Sequence, residues 1–259
     1  MPTPYRIDYD RIAHLYDEAA RDHDADANLR QFLDERPWLE PARLAILDMG
    51  CGTGKQLAAN QPQFPGALLV GLDYFGGMLR QAQRRGPDIL WVQGDSAAPP
   101  FCTAGFHYIT NQFSYPHVRD KPAMMAATFR LLKPGGRFVM TNIDPWSMPG
   151  WILYRYFPAA QARDHRDFLP VDSFVALMQR VGFSLIKVER RRQGAEVDLG
   201  EFLGYAAARF RTSQLLAIPD ADYEAGLRQI RLELAQAEGR APTIHSEISL
   251  VTIRGDKAA

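Results

Sequence analysis

Ile46-Leu47-Asp48-Met49-Gly50-Cys51-Gly52-Thr53-Gly54 is the stretch whose reading decides the fold. Three apolar residues around one carboxylate read as a buried strand. Three glycines at alternate positions follow, and the helix-compatible run Lys55-Gln56-Leu57-Ala58-Ala59 comes next. Strand, tight turn and helix start together form a socket for part of a cofactor. Glycine lets the backbone turn sharply and lets a ligand approach where a Cβ would stand. The helix start adds unpaired N–H donors. A dinucleotide fingerprint, G-x-G-x-x-G, requires glycine where Lys55 stands. The phosphate-loop pattern G-x-x-x-x-G-K-[ST] fails as well, because Gln56 follows Lys55.

Strands and helices alternate outward from this turn. Strands are expected at Ala45–Met49, Leu68–Asp73, 89–92, 107–113, 138–143, 185–188 and 248–253. Helices are expected within 9–39, after Gly54, at 78–85, at 123–132, and from Asp172 or Ser173 to a Gly182 cap. Lys133-Pro134-Gly135-Gly136 reads as a turn. Continuous apolar strands alternating with helices predict an α/β fold, a seven-stranded, mostly parallel, doubly wound sheet with helical lid insertions. The expected division is a helical lid at 1–44, a cofactor-binding core at 45–144 and a substrate-side insertion at 145–169. The core continues at 170–198, a helical insertion occupies 199–240, and the final strand lies in 241–259. In the second insertion Tyr223, Leu227, Ile230, Leu234 and Ala237 form a packing stripe at helical spacing.

Composition narrows the function. The 259 residues carry 30 Lys plus Arg against 30 Asp plus Glu, so no global field draws nucleic acid or an anionic membrane. The run Arg190-Arg191-Arg192 reads as a solvated strand end. Two cysteines, Cys51 and Cys102, make no disulfide framework and point to a cytoplasmic protein. There is no run of 18 apolar residues and no apolar signal-peptide core. No tight His/Asp/Glu cluster has ligand spacing, so no metal is expected.

The nonapeptide resembles motif I of the class I S-adenosylmethionine-dependent methyltransferases, apolar-apolar-acidic-apolar-G-x-G-x-G, at all nine positions. The resemblance covers about 45–144 and implies S-adenosyl-L-methionine as cofactor. Its methionine end would lie over Gly50, Cys51, Gly52, Thr53 and Gly54, oriented by Asp48. Asp73, ending the second strand, would accept from both ribose hydroxyls, as acidic residues do about 20 positions on in dinucleotide sites. Tyr74 resembles the residue that packs on adenine. In Asp73-Tyr74-Phe75-Gly76-Gly77-Met78-Leu79 the family's Met-Leu pair, including Met78, is kept, but Phe75 replaces its capping hydroxyl. Gly94-Asp95-Ser96 resembles the adenine-recognising motif. Asn111 and Gln112 end the fourth strand, at the sheet edge where ligands of open α/β folds bind; His107 stands where the family often has Asp. Tyr16, in the lid, would approach the cofactor's carboxylate.

The resemblance implies methyl transfer to an O, N or C atom of a small-molecule metabolite. The protein's task would be to align the acceptor and exclude water. His117 is the candidate base, since imidazole is the commonest proton acceptor near neutral pH. Trp146, Trp151, Tyr154, His165 and Tyr205 are candidate walls of a substrate pocket. The expected state is a monomer or homodimer binding neither nucleic acid nor membrane. Two other readings are a non-catalytic S-adenosylmethionine-binding partner or assembly module, and an NAD-dependent oxidoreductase, which Lys55 disfavours.

Overall fold

Apolar runs bounded by turn residues become strands covered on both faces by helices. The computed structural model describes residues 7–19, 24–86, 88–237, 239 and 241–259; the side chains of 16–19 lie outside the description. The strands are β1 (Ala45–Met49), β2 (Leu68–Asp73), β3 (Leu90–Gln93), β4 (Phe106–Gln112), β5 (Leu132–Ile143), β6 (Ser184–Asp198) and β7 (Thr243–Asp256). They form one sheet in the order β3-β2-β1-β4-β5-β7-β6. β1 to β5 run parallel, and β7 lies antiparallel between β5 and β6. The chain winds one way from β1 to β3 and resumes on the other side of β1 at β4. A crevice opens at such a reversal, outside the carboxyl ends of the strands.

The helices are α1 (Tyr9–Ala19), α2 (Ala27–Asp34), α3 (Lys55–Asn60), α4 (Gly76–Ala82), α5 (Lys121–Leu131), α6 (Ile152–Tyr156), α7 (Pro158–Asp167), α8 (Val171–Val181), α9 (Leu199–Ala207), α10 (Ser213–Ala217) and α11 (Asp220–Gln236). α5 and α8 cover one sheet face around Met125, Phe138 and Phe174; the other face packs Leu29 and Phe32 of α2 against Ile46 and Tyr108. Gly182 ends α8 in the left-handed region at φ 109°.

Two strands outrun their expected lengths. β6 spans Ser184–Asp198 rather than 185–188, and β7 spans Thr243–Asp256 rather than 248–253. β5 pairs with β7 only as far as Ile143 opposite Leu250, whereas β6 and β7 continue from Arg192–Ser249 to Asp198–Thr243. This two-stranded arm carries a separate apolar cluster. Val197, Ile244 and Ile248 of the arm pack against Leu153, Phe157, Phe202, Leu227 and Ile230. Tyr223, Leu227 and Ile230 of the expected stripe are buried here on α11, Leu234 is half-buried and Ala237 lies one residue past the helix; Gly226 is seated so closely on Phe157 that a Cβ would stand 2.3 Å from its ring. β6 is also the sheet's outer edge. The expected turn at Lys133–Gly136 is a bulge inside β5, where the register against β4 jumps between Phe106 and Tyr108 and Gly135 takes φ 76°.

At the end of the sheet away from the crevice, a buried ion cluster ties α2 to β5 and β7. Arg137 donates to Asp256 at 2.6 and 2.9 Å and to Glu35 at 2.7 Å, and Arg36 donates to Asp256 at 2.9 Å. The hydrogen bonds and charge of Arg137 hold the Asp256 carboxyl below its ordinary pKa against the cost of burial. A depressed carboxyl contributes stability above its unfolded pKa and loses it as pH falls through the folded value. Asp256→Asn leaves two guanidinium groups facing each other and is expected to cost about 3–5 kcal/mol. Urea unfolding at neutral pH measures that cost. The variant should also lose less stability than wild type on acidification below pH ~4; equal urea midpoints for the two proteins would refute the assignment.

Candidate active site

The glycine turn is held by its neighbours. Gly50 and Cys51 both donate to the Leu72 carbonyl, at 2.7 and 3.0 Å. Gly50, Gly52 and Gly54 all have positive φ, at 81°, 54° and 79°. They differ in what a side chain would meet. A Cβ on Gly50 would fall on the Ser114 hydroxyl and one on Gly54 on the Trp91 ring, but one on Gly52 meets nothing among the described residues within 4 Å. Gly52 is therefore open on its outer side, as a backbone that receives a ligand has to be. Cys51 is buried and its thiol pKa is pushed up by burial and by Asp48, so it stays a neutral small residue.

Beneath the turn the Asp48 carboxyl is buried, and its Oδ1 has no hydrogen-bond partner among the described residues. Desolvation, with the nearby charges of Asp26 and Asp73, pushes its pKa up to about 8. Asp73 accepts from the Gly52 N–H at 2.8 Å and the Phe75 N–H at 2.9 Å; burial raises its pKa, partly offset by those bonds. Each Asp73 oxygen retains a further lone pair for a ligand. An ammonium beside Asp48 and a hydroxyl at Asp73 would satisfy these groups, so the residues present fit S-adenosylmethionine.

Around this centre the other expected residues divide. Asn111 Nδ2 donates to the Met49 carbonyl at 2.7 Å and lies 2.6 Å from the Ser114 hydroxyl, while its buried Oδ1 has no partner among the described residues. It clamps the end of β1, as Ser114 does through its own 3.0 Å bond to Met49. Gln112 is half-buried beside it. Thr53 is buried and its carbonyl accepts from Arg85 at 2.9 Å. Tyr74 is exposed, as is Asp95, whose carboxyl accepts from the Ala97 N–H at 2.8 Å; Gly94 and Ser96 are half-buried. Met78 packs under Tyr9 and Ala13 of α1. The Tyr16 backbone lies in α1, and its side chain is outside the described residues.

Several contributors carry no motif. α4 has no cap from its own N-cap residue: the side chain of Phe75 makes no cap hydrogen bond. The Asp10 carboxylate of α1 accepts from the Gly77 N–H instead, which supplies the missing cap from a distant segment. Tyr108 donates to Asp26 at 2.8 Å, and the Asp26 N–H donates to Asn60 at 2.8 Å, fastening α2 and α3 behind Asp48. His107 accepts from the Ala45 N–H at 3.0 Å, a strand clamp at the far end of β1.

On the other side of Ser114 a cavity of about 220 Å³ lies at the ends of β4 and β5. Phe113, His117 and Ile143 line it from the core, Trp151 and Tyr205 from the cap (the helices α6, α7 and α9 to α11 packed with the β6–β7 arm), and Arg163, Asp164, Asp167 and Gln214 add polar groups. Of the expected walls, Trp151 and Tyr205 are brought together here. Tyr154 is buried behind them, in edge contact with Trp151 at 4.9 Å and donating to Asp164 at 2.7 Å. Trp146 and His165 stack on each other at 4.2 Å and are absent from the cavity lining, because His165 turns to the Pro145 carbonyl at 3.2 Å. His117 is accessible to water in the cleft and 3.2 Å from the Tyr9 hydroxyl, yet surrounding protein pushes its pKa down to about 4. It is neutral at physiological pH and weakly basic.

The methyltransferase domain family matches residues 46–136. The 2-phytyl-1,4-naphtoquinone methyltransferase of Thermosynechococcus vestitus is 32% identical over 174 residues, covering 58% of this chain and 77% of that protein. Nocamycin O-methyltransferase of Saccharothrix syringae is 33% identical over 154 residues, covering 56% of this chain and 53% of its own length. Phosphoethanolamine N-methyltransferase 2 of Haemonchus contortus, solved with S-adenosyl-L-methionine, superposes with a TM-score of 0.59 at 17% identity, over 96% of this chain and 57% of that one. At that identity the likeness is one of fold.

Two measurements probe the turn. Gly52→Ala and Gly54→Ala share the positive-φ strain of about 1–2 kcal/mol, but only the second collides with Trp91. Gly52→Ala is expected to stay folded and lose at least about tenfold in S-adenosylhomocysteine affinity, a factor worth ~1.4 kcal/mol. Gly54→Ala should lose more stability; unaltered binding by Gly52→Ala refutes the socket. For Asp48, a pKa raised above its unfolded value lowers stability as pH rises from ~4 to 8. An ammonium pulls that pKa down, so binding at pH 7 should release close to one proton. Calorimetry in buffers of different ionisation enthalpy reads this release, and Asp48→Asn should abolish it.

Proposed function

Because the chain belongs to the class I S-adenosylmethionine-dependent methyltransferases, we propose that it methylates an O, N or C atom of a small aromatic acceptor seated in the cavity at the ends of β4 and β5. The single observation carrying this reading is the position of that cavity. Its core-side wall begins at Phe113, one residue past β4, and the next residue, Ser114, bonds to the Met49 carbonyl at the start of the glycine turn. The aromatic walls Phe113, Trp151 and Tyr205 suit a planar ring. The name of the naphthoquinone relative supports a ring compound as acceptor.

In this reading Asp48 holds the cofactor's ammonium, Gly50–Gly54 lie against its methionine portion, and Asp73 accepts from its ribose. Tyr74, Asp95 and Ser96 border the adenine, while Asn111 and Ser114 keep the end of β1 in position. When bound, S-adenosylmethionine supplies an electrophilic methyl group for in-line displacement. The protein aligns the acceptor and excludes water, the source of most of the rate gain in such reactions. His117, neutral and tied to Tyr9, orients the acceptor rather than taking its proton. Trp146 and His165 act outside the pocket, by fixing the turn before α6.

Isotope-labelled S-adenosylmethionine with 1,4-dihydroxynaphthalene and a panel of phenols, amines and enols tests the activity. Trp151→Ala and Tyr205→Ala are each expected to raise KM for the methylated acceptor about tenfold or more, the scale of a lost aromatic contact. KM for the cofactor should stay unchanged. Transfer to no panel member, or an unaltered acceptor KM in both variants, would refute the reading.

A further inference from the structure

The cavity holds a carboxyl whose surroundings differ from those of His117. Asp164, on α7, is buried at 6% exposure and lines the cavity. Tyr154 Oη donates to its Oδ2 at 2.7 Å, and Gln214 Nε2 approaches the same oxygen at 3.2 Å and Oδ1 at only 3.5 Å. A carboxylate has about four acceptor sites, so Asp164 keeps capacity on Oδ1. The two donors fix its plane as second partners fix a catalytic group.

The charged and titratable groups around it come from several elements. Asp167, His165 and Arg163 share α7 with it, Tyr154 faces it from α6 and Gln214 from α10, and His117 and Arg211 line the same cavity. Arg163 Nε pairs with Asp167 at 3.1 Å. Trp151 and Tyr205 offer aromatic surface beside these polar groups.

We propose that Asp164 is the proton acceptor of the reaction and that the acceptor substrate is a hydroxylated aromatic compound whose O–H donates to Asp164 Oδ1. This rests on the reading of the cavity as the acceptor pocket. The step balances. A lone pair of the hydroxyl oxygen forms the new carbon–oxygen bond while the methyl carbon–sulfur bond breaks, its electron pair remaining on sulfur. The O–H proton passes to Asp164 and is later lost to solvent, so the sulfonium's positive charge leaves as that proton. Burial lifts the Asp164 pKa to about 6, against lowering by Tyr154 and Gln214. It is therefore largely ionised at pH 7 and more basic than an ordinary carboxylate, as a general base should be. His117, depressed to about 4, is the poorer base.

The test pairs binding with turnover, using 1,4-dihydroxynaphthalene and 1-naphthol as probes. Calorimetry on the S-adenosylhomocysteine-loaded protein should show probe affinity falling below pH ~6 in wild type and independent of pH in Asp164→Asn. Asp164→Asn should lower kcat about a hundredfold or more and remove the acidic limb of the pH profile, with Asp164→Glu recovering part of both. Tyr154→Phe keeps the carboxylate but loses a bond to its ionised form, so its acidic limb should move to higher pH. This variant guards against a fold defect in the first. Unchanged pH dependence in Asp164→Asn, or turnover within threefold of wild type, overturns the proposal. Methyl transfer to amines alone, untouched by Asp164→Asn, overturns it while leaving the methyltransferase reading intact. Failure of wild type to methylate any acceptor while still binding S-adenosylhomocysteine overturns the reading beneath it.

Discussion

Burying the Asp48 carboxyl with one oxygen unpartnered among the described residues is the constraint from which the rest of the site follows. An unsatisfied polar group costs about 1–3 kcal/mol, more when charged. Here the cost is raised further by Asp26 and Asp73. The fold gathers carboxyl groups beneath Gly52 and fastens the surroundings with neutral clamps, Asn111, Ser114, Asn60 and Tyr108. Such a site is poor without a cation and good with one. S-adenosylmethionine brings an ammonium and a sulfonium.

The core of this arrangement is legible in the sequence because its requirements are local. A strand buried on both faces must be continuously apolar, a tight turn at positive φ needs glycine, and the helix follows at once; residues 46–60 satisfy all three in order. Asp73 is legible for the same reason, as a carboxylate at a strand end. What the sequence hides are long-range partnerships. Nothing near Phe75 announces that Asp10, 67 residues earlier than Gly77, caps α4. The extension of β6 through Glu189–Asp198 is concealed because that run is polar and mostly exposed, so it lacks an apolar face with a period of two. Its strand character comes from pairing with β7. Likewise Trp146 and His165 share a composition with Trp151 and Tyr205, and only the path of the chain separates the pair that lines the cavity from the pair that stacks beside it.

Core and cap divide the chemistry. The family match ends at residue 136, whereas the cap side of the cavity comes from Trp151 to Ala217. The cofactor half is built on the parallel sheet, whose strand ends are rigid. The half proposed to hold the acceptor rests on helices carried by the β6–β7 arm, with its own apolar cluster. Sequence drift in the second can change which molecule is accepted without disturbing the first.

The arginine run gains a meaning from where β6 lies. A long outer strand exposes unpaired backbone groups along one side and invites a second chain to continue the sheet. Arg190, Arg191 and Arg192 sit midway along it, with Arg190 turned to Asp144 and Arg192 toward Glu247. An identical strand approaching head to tail would bring guanidinium groups opposite one another. These three residues thereby disfavour continuation of the sheet by a second copy of this strand.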